Sequence, residues 1–272
     1  MKQRIITALL MAPLAICAVL FLPSPAFLAL WAAILLAGLW EWTRLVGMRK
    51  REQRALVVLA HALLMSALAW AGWPQWFVPI TVIGGIWWLV ASAWLLFAYH
   101  FGEADNRRNR MIKLLAGSLA VIPAWCALAL LHAAPGDGPV WALFSVMLVW
   151  VADTGAYFSG RHFGGAKLAP VISPKKTWAG FFGGIAGSLL FALLASFVLD
   201  MDQQRWPTLL LITGLATVAS VMGDLFESLL KRHSGAKDSG AVIPGHGGIM
   251  DRLDSVVAAV PVFALGRWLL GL

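Results

Sequence analysis

The sequence predicts an all-α, polytopic integral membrane protein with about nine transmembrane helices and a cytoplasmic N-terminus. Of its 272 residues, 60% are hydrophobic and only 12% are Asp, Glu, Lys or Arg, against roughly 25% charged residues in an ordinary soluble domain. The apolar residues form many runs of about twenty, the length that crosses a bilayer. This composition excludes a water-soluble globular protein, because such a chain needs a charged surface to cover its core.

The apolar segments are separated by recognisable turn signals. Pro23 and Pro25 mark the first turn, and a cluster of Ala, Pro, Gly and Asp at 134–139 marks a later one. The predicted spans are 5–22, 25–42, 55–73, 77–99, 114–133, 139–159, 178–199, 206–229 and 255–271. Lys2 and Arg4 precede the first span, which we expect to be an uncleaved anchor because it leads directly into the next one.

The basic residues predict the orientation of these spans. Nineteen of the 21 Lys and Arg residues fall at the N-terminus and in the loops after spans 2, 4, 6 and 8. Only Arg205 lies in the opposite set of loops, and Arg267 lies near the end of the last span. Because positive loops stay in the cytoplasm, this pattern predicts a cytoplasmic N-terminus. It also explains the net charge of +8 without a nucleic-acid partner. Cys17 and Cys126 lie inside apolar segments and predict no disulfide.

The chain is expected to divide into N-terminal transmembrane helices, 1–140, and a C-terminal catalytic region, 141–272. Polar residues gather at the cytoplasmic ends of spans 6 to 9, which belong to the second region. Acidic residues in or beside membrane spans are costly and need a role. For Glu41, at the end of span 2, the expected role is an interfacial ion pair next to Trp42 and Arg44.

Span 6 carries Asp153, Thr154 and Tyr157. Asp153 and Tyr157 are four residues apart and therefore share a helix face. Two interpretations remain open: an interhelical hydrogen bond that holds the bundle together, or a contribution to an active site.

The loop after span 6 combines basic residues, hydroxyls and glycines, which is what a phosphate site requires. Lys167 is interpreted as ordinary cytoplasmic charge. The candidate phosphate contacts are Ser173, Lys175, Lys176 and Thr177. Ser173 or Thr177 could also cap span 7. Span 7 contains Gly183 and Gly187 in a GxxxG spacing, which predicts close helix approach within the subunit or across a dimer.

The densest polar cluster runs from residue 223 to 254. Asp224, Glu227 and Lys231 have the spacing i, i+3 and i+7, which places them on one stripe of span 8. Asp251 and Asp254 are three residues apart and can face one site. Carboxylates beside glycine-rich backbone predict a hard divalent cation, Mg²⁺, held together with substrate phosphates. The candidate metal ligands are Asp224, Glu227, Asp251 and Asp254.

The same cluster contains further candidates. Lys231, Arg232, Lys237 and Arg252 could neutralise substrate phosphates, and Asp238 lies among them. In the glycine-rich loop, His246, Gly247 and Gly248 are candidate substrate contacts. A single His in such a loop is more often a turn residue than a ligand.

These residues carry a resemblance to a known family. The 27 residues 228–254 read SLLKR, four further residues, KDSG, two more, and IPGHGGIMDRLD. They resemble, without departure, the signature of the phosphatidate cytidylyltransferases, also called CDP-diglyceride synthases. Asp153-Thr154, the stretch 173–177 and Gly223-Asp224 also look like that family, so the resemblance covers roughly 145–260.

The resemblance implies transfer of CMP from CTP to phosphatidic acid, which gives CDP-diacylglycerol and pyrophosphate. It also implies Mg²⁺ dependence, a homodimer and, in a bacterial host, the inner membrane with the site on the cytoplasmic side. For this reaction, the residues that we expect to be catalytic are Asp224, Lys231, Arg232, Lys237, Asp238, Asp251, Arg252 and Asp254. Those that we expect to bind substrate are Asp153, Ser173, Lys175, Lys176, Thr177, His246, Gly247 and Gly248, with Lys175 and Lys176 as candidates for the lipid phosphate.

Other functions are weighed against this one. A CTP-dependent lipid-alcohol kinase acting on polyprenols would need the same nucleotide and metal. A CDP-alcohol phosphotransferase is disfavoured because its DG-x2-AR-x8-G-x3-D-x3-D pattern is absent. An ion-coupled transporter could use Asp153, Asp224 and Glu227, but these residues gather at one side of the membrane instead of at its midplane.

Overall fold

The structure is a computed structural model that describes residues 2–71, 75–240, 242 and 247–272, with the helix backbone alone for 2–11. Each of the nine predicted spans falls on one helix. The helices are α1 Lys2–Phe21, α2 Ser24–Leu45, α3 Arg51–Trp70, α4 Phe77–Phe97, α5 Arg107–His132, α6 Gly138–Phe163, α7 Trp178–Val198, α8 Trp206–His233, the short α9 Met250–Leu253, and α10 Val256–Leu269.

Seven of these helices, α2 to α8, are long and apolar enough to cross a membrane. The predicted all-α, polytopic membrane fold is therefore confirmed. The apolar part of α1 is shorter, Ala12–Phe21, and α10 has 14 residues. The count of nine crossings and the cytoplasmic N-terminus stay predictions.

Local sequence explains where the helices begin. Proline occupies the first turn of α2, α6 and α8, where its missing N–H costs no hydrogen bond. Asn106 caps α5 by accepting a hydrogen bond from Asn109 N at 2.9 Å. Thr177 caps α7 by accepting one from Gly180 N at 3.1 Å, which confirms the predicted cap.

The core is centred on α5, which packs against α2, α4 and α10. Trp88 on α4 donates its indole N–H to the carbonyl of Val257 on α10 at 3.0 Å. The predicted regions 1–140 and 141–272 therefore share one core. Helix α3 lies at the periphery, with 6% of its apolar window buried. Cys126 is buried, Cys17 is exposed, and neither forms a disulfide.

The glycines of α7 serve packing within the subunit. Helix α6 crosses α7 so closely that a Cβ on Gly155 would lie 2.6 Å from the carbonyl oxygen of Gly183. Gly187 also faces α6, with Val151 and Gly155 as its neighbours. Of the two predicted uses of this spacing, the structure shows the intramolecular one.

A small β-hairpin replaces part of the predicted loop after α6. Strand β1, Lys167–Ala169, pairs antiparallel with β2, Ser173–Thr177. The sequence gives little warning of it, because two short strands that pair only with each other have a weak pattern. The hairpin packs against α7 and α8 and places Lys176 beside Asp224 of α8.

Candidate active site

The first ion pair of the site joins the hairpin to α8. Lys176 Nζ lies 2.6 Å from Asp224 Oδ2, and Ser228 Oγ donates to Asp224 Oδ1 at 3.3 Å. Successive side chains of a strand point to opposite faces, and Lys175 is accordingly exposed while Lys176 is half-buried. The structure thus separates two lysines that the sequence had grouped together.

The second ion pair joins α8 to α9 through Lys231. Its Nζ contacts Glu227 one turn earlier on α8 and lies 2.8 Å from Asp251 Oδ1. Glu227 is buried, and its Oε1 has no hydrogen-bond partner among the described residues. The predicted stripe of Asp224, Glu227 and Lys231 on one face of α8 is present, and Lys231 is placed between two carboxylates.

Asp251 organises the chain that precedes α9. It accepts hydrogen bonds from Gly248 N at 2.7 Å and from Ser239 N at 3.2 Å. Burial alone would raise the pKa of Asp251, but the hydrogen bonds from Lys231 and Gly248 outweigh burial and lower it. Gly247 has φ +81°, a conformation that favours glycine. His246 lies outside the described residues.

Glu41 differs from its prediction. Its side chain is 3% exposed, and it accepts hydrogen bonds from Ser239 Oγ at 2.9 Å and from Met250 N at 2.8 Å. The expected ion pair with Arg44 is wrong, because Arg44 is exposed while Glu41 turns inward. The carboxylate of α2 therefore holds both ends of the segment 239–250.

Asp254 lies in a field of negative charge. It is buried and accepts a hydrogen bond from Ser255 N at 2.7 Å. Burial, with repulsion from Asp224 and Glu227, raises the pKa of Asp254 well above its ordinary value. Asp153 of α6 is in electrostatic reach of Asp224, Lys176 and Arg252. A cation among these carboxylates would relieve their repulsion.

The side chains fit a metal site that substrate phosphates complete better than one formed by protein ligands alone. Within the part of the chain that the structure describes, no three His, Cys, Asp or Glu side chains form a ready metal-binding set. Mg²⁺ is usually held by one or two carboxylates together with substrate phosphates and waters. Crowded carboxylates around Asp254 fit that mode, in which the substrate completes the coordination.

The remaining predicted residues differ in their contacts and in their exposure. Arg232 donates Nε–H to the carbonyl of Ile172 at 3.1 Å, which fastens the end of α8 to the hairpin turn. Thr177 is buried, and its hydroxyl caps α7. Ser173, Gly247 and Gly248 are at least half-buried, and Lys237, Asp238 and Arg252 are exposed. Thr154 donates to the carbonyl of Trp150 on its own helix and forms no interhelical hydrogen bond with any residue that the structure describes.

An apolar groove of about 270 Å³ lies between α4, the hairpin, α7 and α8. The hairpin contributes Leu168 and Ile172, α7 contributes Trp178, and α8 contributes Met222 and Leu225. The last two flank Asp224 in the sequence. The same stretch of α8 therefore presents a carboxylate to the polar cluster and apolar side chains to the groove.

Comparison with known proteins decides the family. The model of the cytidylyltransferase family matches residues 2–270. The chain belongs to the cytidylyltransferase family. The protein is thus a nucleotidyltransferase enzyme, and the family resemblance seen in 145–260 extends over almost the whole chain.

The chain is also similar to individual proteins named phosphatidate cytidylyltransferase. A Pseudomonas aeruginosa protein named phosphatidate cytidylyltransferase is 41% identical over 274 residues, which cover 100% of this chain and 98% of that protein. One of the same name from Haemophilus influenzae is 35% identical over 281 residues, 97% of each chain. One from Staphylococcus epidermidis is 48% identical over 126 residues, 46% of this chain and 48% of that protein.

The sequence did not reveal two features of this cytidylyltransferase's candidate site, namely the hydrogen-bond partners of Glu41 and the link through Ser239. Glu41 was singled out as an acidic residue at a membrane span, but its partners are 198 and 209 residues away. Ser239 lies inside the signature yet carried no signal of its own. It links Glu41 and Asp251, because its hydroxyl donates to the first and its backbone N–H to the second.

Proposed function

We propose that this protein is a phosphatidate cytidylyltransferase, which converts CTP and phosphatidic acid into CDP-diacylglycerol and pyrophosphate. Membership of the cytidylyltransferase family supports the nucleotide half of this proposal. The names of the relatives from Pseudomonas and Haemophilus support the lipid half.

The observation that carries the proposal is that one turn of α8 contributes both to the polar cluster and to the apolar groove. Asp224 pairs with Lys176 in the cluster, and Met222 and Leu225, on other faces of the same turn, line the groove. A lipid phosphate needs both, because its headgroup must meet a charged nucleotide while its acyl chains stay out of water. A soluble nucleotide acceptor would not need the groove.

In the proposed reaction, a phosphatidate oxygen attacks the α-phosphorus of CTP. The new P–O bond forms while the bond from that phosphorus to the bridging β-phosphate oxygen breaks, and the electron pair leaves with pyrophosphate. The nucleophile is already an anion, so little proton transfer is needed. The chain's task is then positioning and charge neutralisation.

Each group of residues has a proposed part in that task. Lys176 is the half-buried cation on the hairpin that also lines the groove, and it would pair with the lipid phosphate. Arg232 and Arg252, both exposed at the rim, would neutralise the triphosphate together with Lys237. Lys231 is already between Glu227 and Asp251, and its proposed role is to hold that loop in place.

Mg²⁺ is the proposed cofactor, with Asp224 and Asp254 as its foremost ligands and Glu227 and Asp251 close by. When bound, it would neutralise the charge that develops on the triphosphate. The crowding that raises the pKa of Asp254 supports a cation at this place. Asp251 contributes through the hydrogen bonds that it accepts from Ser239 N and Gly248 N, which hold these two residues beside α9.

We further propose that the enzyme acts as a homodimer in a bacterial inner membrane, with the site facing the cytoplasm. The seven apolar helices support the membrane location, and the distribution of Lys and Arg supports the orientation. The dimer rests on the family resemblance. Crosslinking of the full chain in membranes would test it.

The test of the reaction is to follow label from α-labelled CTP. The purified chain in detergent is incubated with phosphatidic acid, Mg²⁺ and the labelled nucleotide. We expect label to enter the organic phase, with one pyrophosphate released per lipid. Label that stays in water as CDP, with a phosphorylated polyprenol formed when that alcohol is supplied, would overturn the proposal in favour of the kinase.

A further inference from the structure

A second groove lies at the same end of the bundle as the candidate active site, between α2, α3 and α5. Its volume is about 600 Å³, within the range of sites that hold small molecules and lipids. Leu56 and Val57 of α3 and Met111 and Leu114 of α5 line its apolar part. None of the residues gathered around Asp224 and Asp251 belongs to it.

Four cations line one end of this groove: Arg49, Lys50, Arg107 and Arg110. Arg110 is held by Asp105, with contacts of 2.6 and 2.8 Å. Among the described residues, the other three have no hydrogen-bond or ion-pair partner. No Asp or Glu lines the groove. Asp105 beside it pairs with Arg110 and lies within electrostatic reach of Arg49, so one carboxylate stands against four cations.

The turn after α2 brings the basic end of the groove close to its apolar part. Gly47 has φ +92°, and a Cβ there would lie 3.3 Å from Asp105 Oδ1 and 3.4 Å from Arg110 Nε. The turn after α2 is thus packed onto the Asp105–Arg110 pair. It aims Arg49 and Lys50 at the start of α5, where Arg107 stands.

The position of the groove relative to the membrane indicates which kind of ligand it binds. Helix α3 is an apolar helix with 6% of its window buried in the protein, so most of its surface faces lipid. Arg49 and Lys50 immediately precede this helix, at the depth of lipid headgroups. We propose that the groove binds an anionic phospholipid, with its phosphate on Arg49, Lys50 and Arg107 and an acyl chain along α3 and α5. This site is separate from the proposed catalytic site.

The test compares two double variants with equal charge change. Arg49→Gln with Arg107→Gln removes two cations that line the groove. Arg51→Gln with Arg108→Gln removes their neighbours, which do not line it. The purified full chain in detergent is titrated with phosphatidylglycerol or with phosphatidylcholine of the same acyl chains, and bound lipid is counted by native mass spectrometry.

We expect the unmodified chain to prefer phosphatidylglycerol. Each basic residue near an anionic lipid contributes about fivefold in affinity. The groove variant should therefore lose about 30-fold, or about 2 kcal/mol, and the neighbour variant less than about twofold. Equal losses in both variants would mean diffuse surface charge and overturn the proposal. Equal affinity for both lipids would also overturn it.

A second pair of variants keeps every charge. Leu56→Trp fills the apolar part of the groove, whereas Leu59→Trp adds the same volume to a lipid-facing position of α3 outside it. Loss of phosphatidylglycerol in the first variant alone supports the proposal. Unchanged binding in both would overturn it, even if the charge variants fail to fold.

Discussion

Replacing Glu41 with Ala should strongly lower kcat, although Glu41 lies 198 residues along the chain from Ser239, one of its two hydrogen-bond partners. Its carboxylate is the common acceptor for Ser239 Oγ and Met250 N. Truncation leaves two donors in a buried place without a partner. An unsatisfied buried group costs about 1–3 kcal/mol, so two cost roughly 3 kcal/mol. This is enough to shift the equilibrium by about 100-fold toward an arrangement in which Ser239 and Met250 are no longer held on α2.

The conservative variant sharpens this prediction. Gln at position 41 keeps an oxygen where Oε2 stands, but it loses the charge that makes these hydrogen bonds about twice as strong as neutral ones. Glu41→Gln should therefore lose about tenfold in kcat, between the unmodified chain and the Ala variant. Glu52→Ala removes an exposed carboxylate and serves as the control, with kcat unchanged.

The assay measures kcat, the KM for CTP and amide hydrogen exchange in the same preparations. If Glu41 positions the segment, exchange should rise at 239–240 and 247–250 while the core of α5 stays protected. Ala at position 41 with normal kcat and normal exchange would refute the reasoning. A uniform rise of exchange across the bundle would show that Glu41 stabilises the whole fold instead.

Four further results are expected. Lys176→Ala should lower kcat/KM for phosphatidic acid at least about tenfold, because it removes the half-buried cation of the ion pair with α8. Lys175→Ala changes the exposed neighbour and should keep kcat/KM within about twofold of the unmodified chain. Equal losses in the two variants would contradict the assignment. Thr177→Ala removes the cap of α7 and should cost about 1 kcal/mol, seen as a Tm about 2–4 °C lower, whereas Thr177→Ser should keep it; equal Tm values for the two would refute the cap's contribution. Gly155→Ala places a Cβ 2.6 Å from a carbonyl oxygen of α7, but Gly187→Ala finds its nearest neighbour at 3.6 Å. The first should lower the free energy of unfolding by about 1–3 kcal/mol and the second should not, which thermal unfolding in detergent will decide. Chelation by EDTA should stop CMP transfer and Mg²⁺ should restore it; transfer that persists in EDTA would remove Mg²⁺ from the proposal.

The fold class followed from composition and from the lengths of apolar runs. Both are properties of segments, because the bilayer requires each crossing segment to satisfy its own backbone as a helix. The helix boundaries at Pro25, Pro139 and Pro207 were equally local, since proline acts within one turn. The hairpin 167–177 was missed, because its short strands are stabilised by packing on α7 and α8.

The candidate site shows the same division. The stripe of Asp224, Glu227 and Lys231 could be read from the sequence, since a helix fixes which residues share a face. The sequence also placed Asp251 in the cluster, because Asp251 lies three residues from Asp254 in the same polar stretch. It could not show that Lys231 stands between Glu227 and Asp251, because that arrangement depends on how α9 approaches α8.

The sequence by itself determined that this is a helical membrane protein, that proline marks the beginning of three of its helices, and which short stretch carries the family signature. Only the tertiary structure decided that Glu41 bonds both Ser239 and Met250, and that Lys176 pairs with α8 while Lys175 is exposed. It also decided that the glycines of α6 and α7 let these two helices pack closely against each other. The physical reason is the range of the interactions. Periodicity, turn residues and caps act over a few residues, whereas a buried carboxylate chooses its partners from whatever the packed helices bring beside it.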